Sequence, residues 1–96
     1  MIVEYLRYTI EKANQTSFID DYKKGAVPLK KSKYCQSLEF CQCVEDSSKF
    51  IIRIQWSSAD DHLKGFRGSQ EFKEFFTHIK KYIDDIDEMR HYSVVE

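Results

Sequence analysis

The chain has 96 residues, with 15 Lys and Arg against 16 Asp and Glu, and 42% of its residues are apolar. This composition excludes a disordered chain, and the balanced charge argues against a nucleic-acid partner, which requires clustered positive charge. No apolar run approaches the roughly 18 residues of a membrane span, and Glu4 and Arg7 interrupt the first ten residues. We therefore expect a single domain over residues 1–96, with no signal peptide, no membrane partner and a cytoplasmic location.

The first half of the chain predicts a strand followed by a helix. Residues 2–10 alternate in polarity and are rich in β-branched and aromatic side chains, as strands are. After a polar loop, a helix is predicted to begin at Thr16 or Ser17 with a hydroxyl cap. Gly25 and Pro28 weaken this helix, so we expect a kink near Val27.

The second half predicts two strands, a helical segment and a final strand. Residues 37–45 and 49–57 read as strands joined by a hairpin turn over "DSS". Ser57 or Ser58 is expected to cap a short helix, and Ser69 a longer one. A last strand is predicted over residues 89–95. The apolar stripe of the longer helix comprises Phe72, Phe75, Phe76, Ile79, Tyr82 and Ile83.

This β-α-β-β-α-β order predicts an α+β, ferredoxin-like fold with a four-stranded antiparallel sheet and helices on one face. The strands read as apolar on both sides, yet the helices would cover only one of them. A second copy of the chain is therefore expected to cover the other face, giving a homodimer of two sheets packed face to face.

The three cysteines, Cys35, Cys41 and Cys43, do not have zinc-ligand spacing. Cys41 and Cys43 lie two residues apart on a predicted strand and so share one face. We interpret all three as buried thiols in a reducing compartment. The sequence also lacks a phosphate loop, a paired-His metal motif and a Gly-rich nucleophile elbow.

Almost the whole chain resembles the antibiotic biosynthesis monooxygenase domain family. The resemblance rests on "EYLRYTI", "FIDDYKKGAVPL", "FIIRIQWSSADDHLKGFRGSQEFKEFF" and "EMRHY". It implies a dimeric α/β barrel and an oxygenase that uses neither metal, flavin nor haem. In such an enzyme a phenol or quinol loses a proton, and its anion passes an electron to O2. The expected partners are therefore a small aromatic molecule and O2, with no cofactor.

One branch of the same fold degrades haem with an Asn on the first strand and a Trp and a His around the second helix. This chain has no Asn in its first strand, and it offers Phe66 and Phe76 where that branch has Trp and His. The resemblance therefore does not favour haem degradation.

His62 and Arg67 are the candidate catalytic residues. His62 could accept a phenolic proton near neutral pH, or it could be a half-buried histidine bonded to a backbone carbonyl. Arg67, between two glycines, could hold a phenolate, or it could pair with an acidic neighbour. The candidate substrate-binding residues are Trp56, Tyr5, Tyr8, Phe66, Phe76 and His91. Trp56 could instead be an anchor of the core or of a dimer interface. His91 could instead contact a partner subunit.

Two functions remain open from the sequence. The first is a cofactor-independent monooxygenase acting on a small quinol-like aromatic compound. The second is a non-catalytic dimeric module that binds a small apolar ligand or only assembles. An apolar pocket with converging polar groups favours the enzyme, and a filled core favours the module.

Overall fold

Four antiparallel strands form one sheet, and two helices pack on one of its faces. The computed structural model describes residues 2–96. The strand order in the sheet is β2-β3-β1-β4, as the ferredoxin-like prediction requires. The elements are β1 (Ile2–Thr9), α1 (Gln15–Lys31), β2 (Cys35–Gln42), β3 (Lys49–Trp56), α2 (Gln70–Ile79) and β4 (Ile86–Ser93).

Strand alternation divides the sheet into an inner face and an outer face. Even-numbered residues of β1 and β3, such as Leu6, Tyr8 and Ile52, point inward and are buried. The α1 residues Phe18 and Leu29 pack against them and have no exposed surface. Burying these apolar side chains drives the fold, since removal of apolar area from water is its main stabilising term.

The outer face of the sheet is amphipathic rather than apolar as predicted. Arg7 pairs with Glu88 at 2.9 Å, and Arg53 pairs with Glu39 at 3.2 Å. Apolar and aromatic side chains lie between these pairs, and the most exposed of them is Tyr92, at 41%. Neither helix contributes to this face, so it is open in the single chain.

Two predicted strands have different bounds because strand pairing fixes them. β2 begins two residues earlier than predicted and ends three residues earlier, since its pairing with β3 runs from Cys35 opposite Trp56 to Gln42 opposite Phe50. β4 begins at Ile86 instead of residue 89. Ile86 turns inward against Tyr8, which draws part of the acidic segment into the sheet.

The helical segments also differ from the predicted ones. A 3₁₀ turn over Lys12–Asn14 leads directly into α1, so the helix begins earlier and no hydroxyl caps its first residue. α1 continues through Pro28 to Lys31. α2 ends at Ile79 and tightens into a 3₁₀ turn over Lys80–Asp85, which leaves Ile83 at 48% exposure.

The cysteines are not buried as predicted. Cys41 lies on the outer sheet face and is exposed, while Cys35 and Cys43 are half-buried, and all three are free thiols. Cys43 lies just past the end of β2, so the expected shared strand face does not form. Among residues 2–96, neither helix has both the length and the apolar character needed to cross a membrane.

Candidate functional site

A cavity of about 240 Å³ lies between the inner sheet face and α2. Its walls are almost entirely apolar, and three phenylalanines of the α2 stripe, Phe72, Phe75 and Phe76, form one side. Glu4, His62 and Arg67 are the charged or ionisable groups that reach it apart from the phenol of Tyr8. A small apolar cavity with a few converging polar groups has the character of a small-molecule site.

Glu4 is a buried carboxyl group at the cavity wall, with 2% of its surface exposed. Its Oε1 accepts a hydrogen bond of 3.1 Å from Nε1 of Trp56. Burial raises the pKa of Glu4 to about 7, although the Trp56 hydrogen bond and the Arg67 charge pull it back. A carboxyl group with this pKa can bind and release a proton at neutral pH.

The sequence analysis did not single out Glu4 as a candidate. The signal was present in the strand register, because positions 2, 4, 6, 8 and 10 read Ile, Glu, Leu, Tyr and Ile. The first four of these positions lie on one face of β1, so the apolar neighbours of Glu4 indicate that it points inward. A lone carboxylate in an inward-facing row is a candidate for a perturbed pKa.

His62 links Glu4 to a second histidine. Its Nε2 lies 3.5 Å from Oε1 of Glu4, and its Nδ1 lies 2.6 Å from Nε2 of His91. Its ring stacks on Trp56 with 4.4 Å between ring centroids and 10° between planes. Burial, His91 and Arg67 lower the pKa of His62 to about 4, so this imidazole is neutral at neutral pH. The predicted backbone-carbonyl partner of its ring is replaced by these side chains.

A π-helical turn positions His62. The turn covers Asp61–Phe66, and Ser58 caps its start by accepting a 3.0 Å hydrogen bond from the Asp61 backbone N–H. The N–H of Arg67 donates to the carbonyl of His62 at 3.1 Å, which closes the wide turn. Such wide turns interrupt regular helices frequently at functional sites. Here the turn directs His62 and Phe66 inward while Arg67 stays exposed.

Arg67 lines the cavity, and its positive charge lowers the pKa of Glu4, of His62 and of His91. Within residues 2–96 it forms no ion pair with a carboxylate, so the acidic neighbour that the sequence allowed is not found within this chain. A guanidinium at an apolar cavity can meet an anionic ligand.

The other candidate residues separate into two groups. Trp56, Tyr8, Phe66 and Phe76 line the cavity, and Trp56 is fully buried as a core residue as well. Tyr5 does not line it, because odd-numbered residues of β1 point to the outer face. There it packs edge-on against Tyr92, with 5.3 Å between ring centroids.

His91 is connected to the site through its contact with His62. It lies on β4 directly opposite Glu4 on β1, and both side chains are on the inner face. It is partly exposed and does not line the cavity. It therefore connects the buried pair with the surface of the chain.

The donor atoms of Glu4, His62 and His91 lie within 4.8 Å of one another, which raises the question of a metal site. Two histidines and a carboxylate are ligands that iron and zinc accept. In the structure His62 turns Nε2 toward Glu4 and Nδ1 toward His91, so the three side chains contact one another in a row.

The fold and the cavity define a ferredoxin-like α+β domain with an apolar cavity between sheet and helix. Residues 1–78 match the family model described as antibiotic biosynthesis monooxygenase, and the chain belongs to that family.

One curated protein is similar in sequence, and solved structures share the fold. The uncharacterized protein YczJ of Bacillus subtilis (strain 168) is 23% identical over 95 residues, covering 99% of this chain and all of that protein. A proposed antibiotic biosynthesis monooxygenase from Bordetella bronchiseptica has a similar structure, with a TM-score of 0.79 and 16% identity over 99% of this chain and 97% of its own. A conserved protein from Methanosarcina mazei Go1 also has a TM-score of 0.79, with 19% identity over 95% of this chain and 89% of its own.

Proposed function

We propose that this protein is a cofactor-independent monooxygenase that oxidises a small quinol-like or anthrone-like compound with O2. The observation that carries the proposal is the apolar cavity with the buried Glu4–His62 pair at its wall. A dry cavity with a proton acceptor suits the formation of a substrate anion, which is the species that reacts with O2 in this family. An apolar cavity with converging polar groups also favours an enzyme over a module that only assembles.

The overall reaction balances with O2 as the only oxidant. The protein removes one proton from the acidic C–H or O–H group, and the anion passes one electron to O2. The two radicals combine at carbon and take up a proton, giving a hydroperoxide. Loss of water then leaves a carbonyl group, so an anthrone-type CH2 group plus O2 gives C=O plus H2O.

The residues fit distinct roles in this scheme. His62, with Glu4 beside it, belongs to the group that accepts the proton. Arg67 stabilises the negative charge on the substrate oxygen, because a guanidinium can donate two parallel hydrogen bonds. The apolar walls exclude water, which strengthens these electrostatic interactions. These walls include Trp56 and Phe76.

The size of the cavity restricts the substrate. Its volume of about 240 Å³ lies below the range of about 300–1,000 Å³ that is typical of sites for drug-sized ligands. A small aromatic compound therefore suits it better than a large polycyclic one.

The proposal is tested by O2 consumption with a panel of small quinols, naphthols and anthrone-like compounds. The His62→Phe variant keeps a flat ring against Trp56 but removes both nitrogens, and Arg67→Gln removes the cavity cation. His62→Phe should lower kcat/KM by about 10²-fold or more, since proton acceptors contribute about 10²–10⁴-fold. Arg67→Gln should lower it by about 10²–10³-fold, which is typical for the loss of one group that stabilises a developing negative charge. Lys23→Gln is the control, because Lys23 is an exposed cation on α1 and does not line the cavity. Absence of turnover above the uncatalysed background for every compound would refute an oxygenase for this panel.

A homodimer through the outer sheet face is also part of the proposal. That face carries Tyr5, Tyr92 and ion pairs of both signs, and neither helix covers it. Two copies could bury its aromatic centre and exchange charged partners at its rim. Sedimentation equilibrium at micromolar concentration should give twice the mass of one chain, and a mass near 11.5 kDa would contradict the dimer. We further propose the cytoplasm as its location, where the three free thiols stay reduced; cell fractionation checks this.

A further inference from the structure

We propose that Glu4 is a further catalytic residue that takes the proton from the substrate, and that His62 and His91 conduct this proton to solvent. This inference rests on the proposed function and assigns separate roles to the residues of its proton-accepting group. The supporting observation is the unbroken chain of contacts from the cavity through Glu4 and His62 to a partly exposed histidine.

The contacts favour Glu4 over His62 as the first acceptor. Both nitrogens of His62 already face other side chains, Nε2 toward Glu4 and Nδ1 toward His91. Glu4 makes both of its polar contacts through Oε1, which leaves Oε2 for a ligand in the cavity that Glu4 lines. The pKa values agree, because burial raises the pKa of Glu4 to about 7 while His62 falls to about 4, which makes the carboxylate the stronger base.

Three linked proton shifts would return Glu4 to its ionised form. Glu4 takes the substrate proton on Oε2, and a half-turn of the carboxyl group about its Cγ–Cδ bond then brings that O–H to face Nε2 of His62. In this state His62 carries its own proton on Nδ1 and donates it to Nε2 of His91. The Glu4 proton then moves to Nε2 of His62, the Nδ1 proton of His62 moves to Nε2 of His91, and Nδ1 of His91 releases a proton to solvent. The substrate supplies one proton from the cavity, and His91 releases one proton to solvent. The number of protons on the three side chains is therefore unchanged.

The spacing permits this chain after a small adjustment. The His62–His91 contact of 2.6 Å is already short, whereas His62 and Glu4 are 3.5 Å apart and must approach by about 0.5 Å to share a hydrogen bond. Catalytic hydrogen bonds often tighten only when the ligand is bound. Trp56 holds the carboxyl group from one side through its Nε1 hydrogen bond to Oε1.

The other ionisable groups around Glu4, His62 and His91 favour proton transfer in the same direction, from Glu4 toward His91. Burial, and after it the charge of Arg67, lower the pKa of both histidines, which favours their neutral forms. Tyr8 on β1 has its pKa raised well above its ordinary range by burial and by Glu4, so it stays neutral. Glu4 is the group in this region whose pKa is about 7.

The first test separates anion formation from turnover. Substrate anion is measured anaerobically by its absorbance, and turnover by O2 consumption. Glu4→Gln should reduce anion formation at least 10-fold. His91→Gln should leave the first anion intact but slow turnover at least 10-fold, and added imidazole buffer should restore it. His78→Gln is the matched control, because His78 lies on α2 away from this chain.

The outcomes distinguish this inference from the proposed function. If wild type and Glu4→Gln form the anion equally well, the function stands and the role of Glu4 is overturned. If His91→Gln turns over normally, or imidazole fails to rescue it, the exit path is overturned. Loss of wild-type turnover on dialysis against EDTA, restored by Fe²⁺, would also overturn the relay, since the cluster would then bind a metal.

A second test needs no substrate. In ¹⁵N-labelled protein, the ring-nitrogen shifts of His62 report which nitrogen carries the proton. His62 should carry it on Nδ1 below the pKa of Glu4 and on Nε2 above it, and Glu4→Gln should abolish this switch. A single tautomer from pH 5 to pH 9 in the wild type would overturn the relay even if no substrate has been found.

Discussion

The buried Glu4–His62 pair makes a specific prediction about stability and pH. In the folded protein the pKa of Glu4 is raised from 4.5 to about 7, and the pKa of His62 is lowered from 6.5 to about 4. Both side chains are almost fully buried, at 2% and 4% exposure, so solvent screening reduces these effects little. At about 1.4 kcal/mol per pKa unit, each shift corresponds to about 3 kcal/mol of unfolding free energy.

The two contributions have opposite signs. Glu4 stabilises the fold when protonated, so its contribution is complete below pH 4.5 and is lost as the pH rises through about 7. His62 stabilises the fold when neutral, so its contribution is complete above pH 6.5 and is lost as the pH falls through about 4. Between pH 4.5 and 6.5 the two contributions change the free energy of unfolding with pH in opposite directions and nearly cancel. Neither dependence is therefore visible in the wild type.

Single substitutions should reveal the concealed slopes. Glu4→Gln keeps an acceptor for Trp56 but does not ionise, so its free energy of unfolding relative to wild type should rise by about 3 kcal/mol from pH 4.5 to 7. His62→Phe keeps the ring stack on Trp56, and its relative free energy should fall by about 3 kcal/mol from pH 4 to 6.5. These differences remove the effect of other groups that titrate in both proteins.

Urea unfolding at half-unit pH intervals from 4 to 8 measures these free energies. Trp56 is the only tryptophan and is fully buried, so its fluorescence reports the unfolding of the core. Glu11→Gln serves as the control, because Glu11 is exposed and does not line the cavity. A difference between Glu4→Gln and wild type that is constant with pH to within about 0.5 kcal/mol would refute the reasoning.

Three further predictions follow from individual contacts. Trp56→Phe removes the hydrogen bond that lowers the pKa of Glu4. This pKa should therefore rise above about 7, and the pH at which activity appears should rise with it. An unchanged dependence of activity on pH would contradict this prediction. Tyr82→Phe removes a 2.5 Å hydrogen bond to Asp21 and should cost about 1 kcal/mol in urea unfolding, more than Tyr92→Phe on the exposed face. Ser69→Ala removes the cap on the Phe72 N–H and should cost about 1 kcal/mol; an equal effect of the exposed Ser47→Ala would argue against capping.

Sequence patterns predicted the element order and most of the apolar stripe of α2, because both follow from local periodicity, although Ile83 of that stripe is exposed. The Ser69 cap was also predictable, since it depends only on residues within one turn. The bounds of β2 and β4 were not, because pairing with distant strands fixes them. Ile86 shows this, since it lies in an acidic segment and is drawn into β4 by contact with β1.

The candidate site was only partly predictable for a related reason. His62 and Arg67 were found because they lie in one short, unusual segment of sequence. Glu4 and His91 are far from that segment in the chain, and only the antiparallel pairing of β1 with β4 places them opposite each other. Tyr5 was included because its residue type suits a pocket, but strand parity directs it to the other face.

The burial of Glu4 is difficult to explain by stability alone. At neutral pH it opposes folding, and an apolar residue at the same inward position would pack beside Leu6 without this cost. Its single strong partner, Trp56, satisfies one oxygen of the carboxyl group and leaves the other for the cavity. A group that destabilises the fold, faces a cavity and changes charge near pH 7 is better explained by chemistry than by architecture. For this reason Glu4, more than His62, is the residue whose substitution should separate activity from stability: Glu4→Gln should be the more stable protein at pH 8 and the less active one.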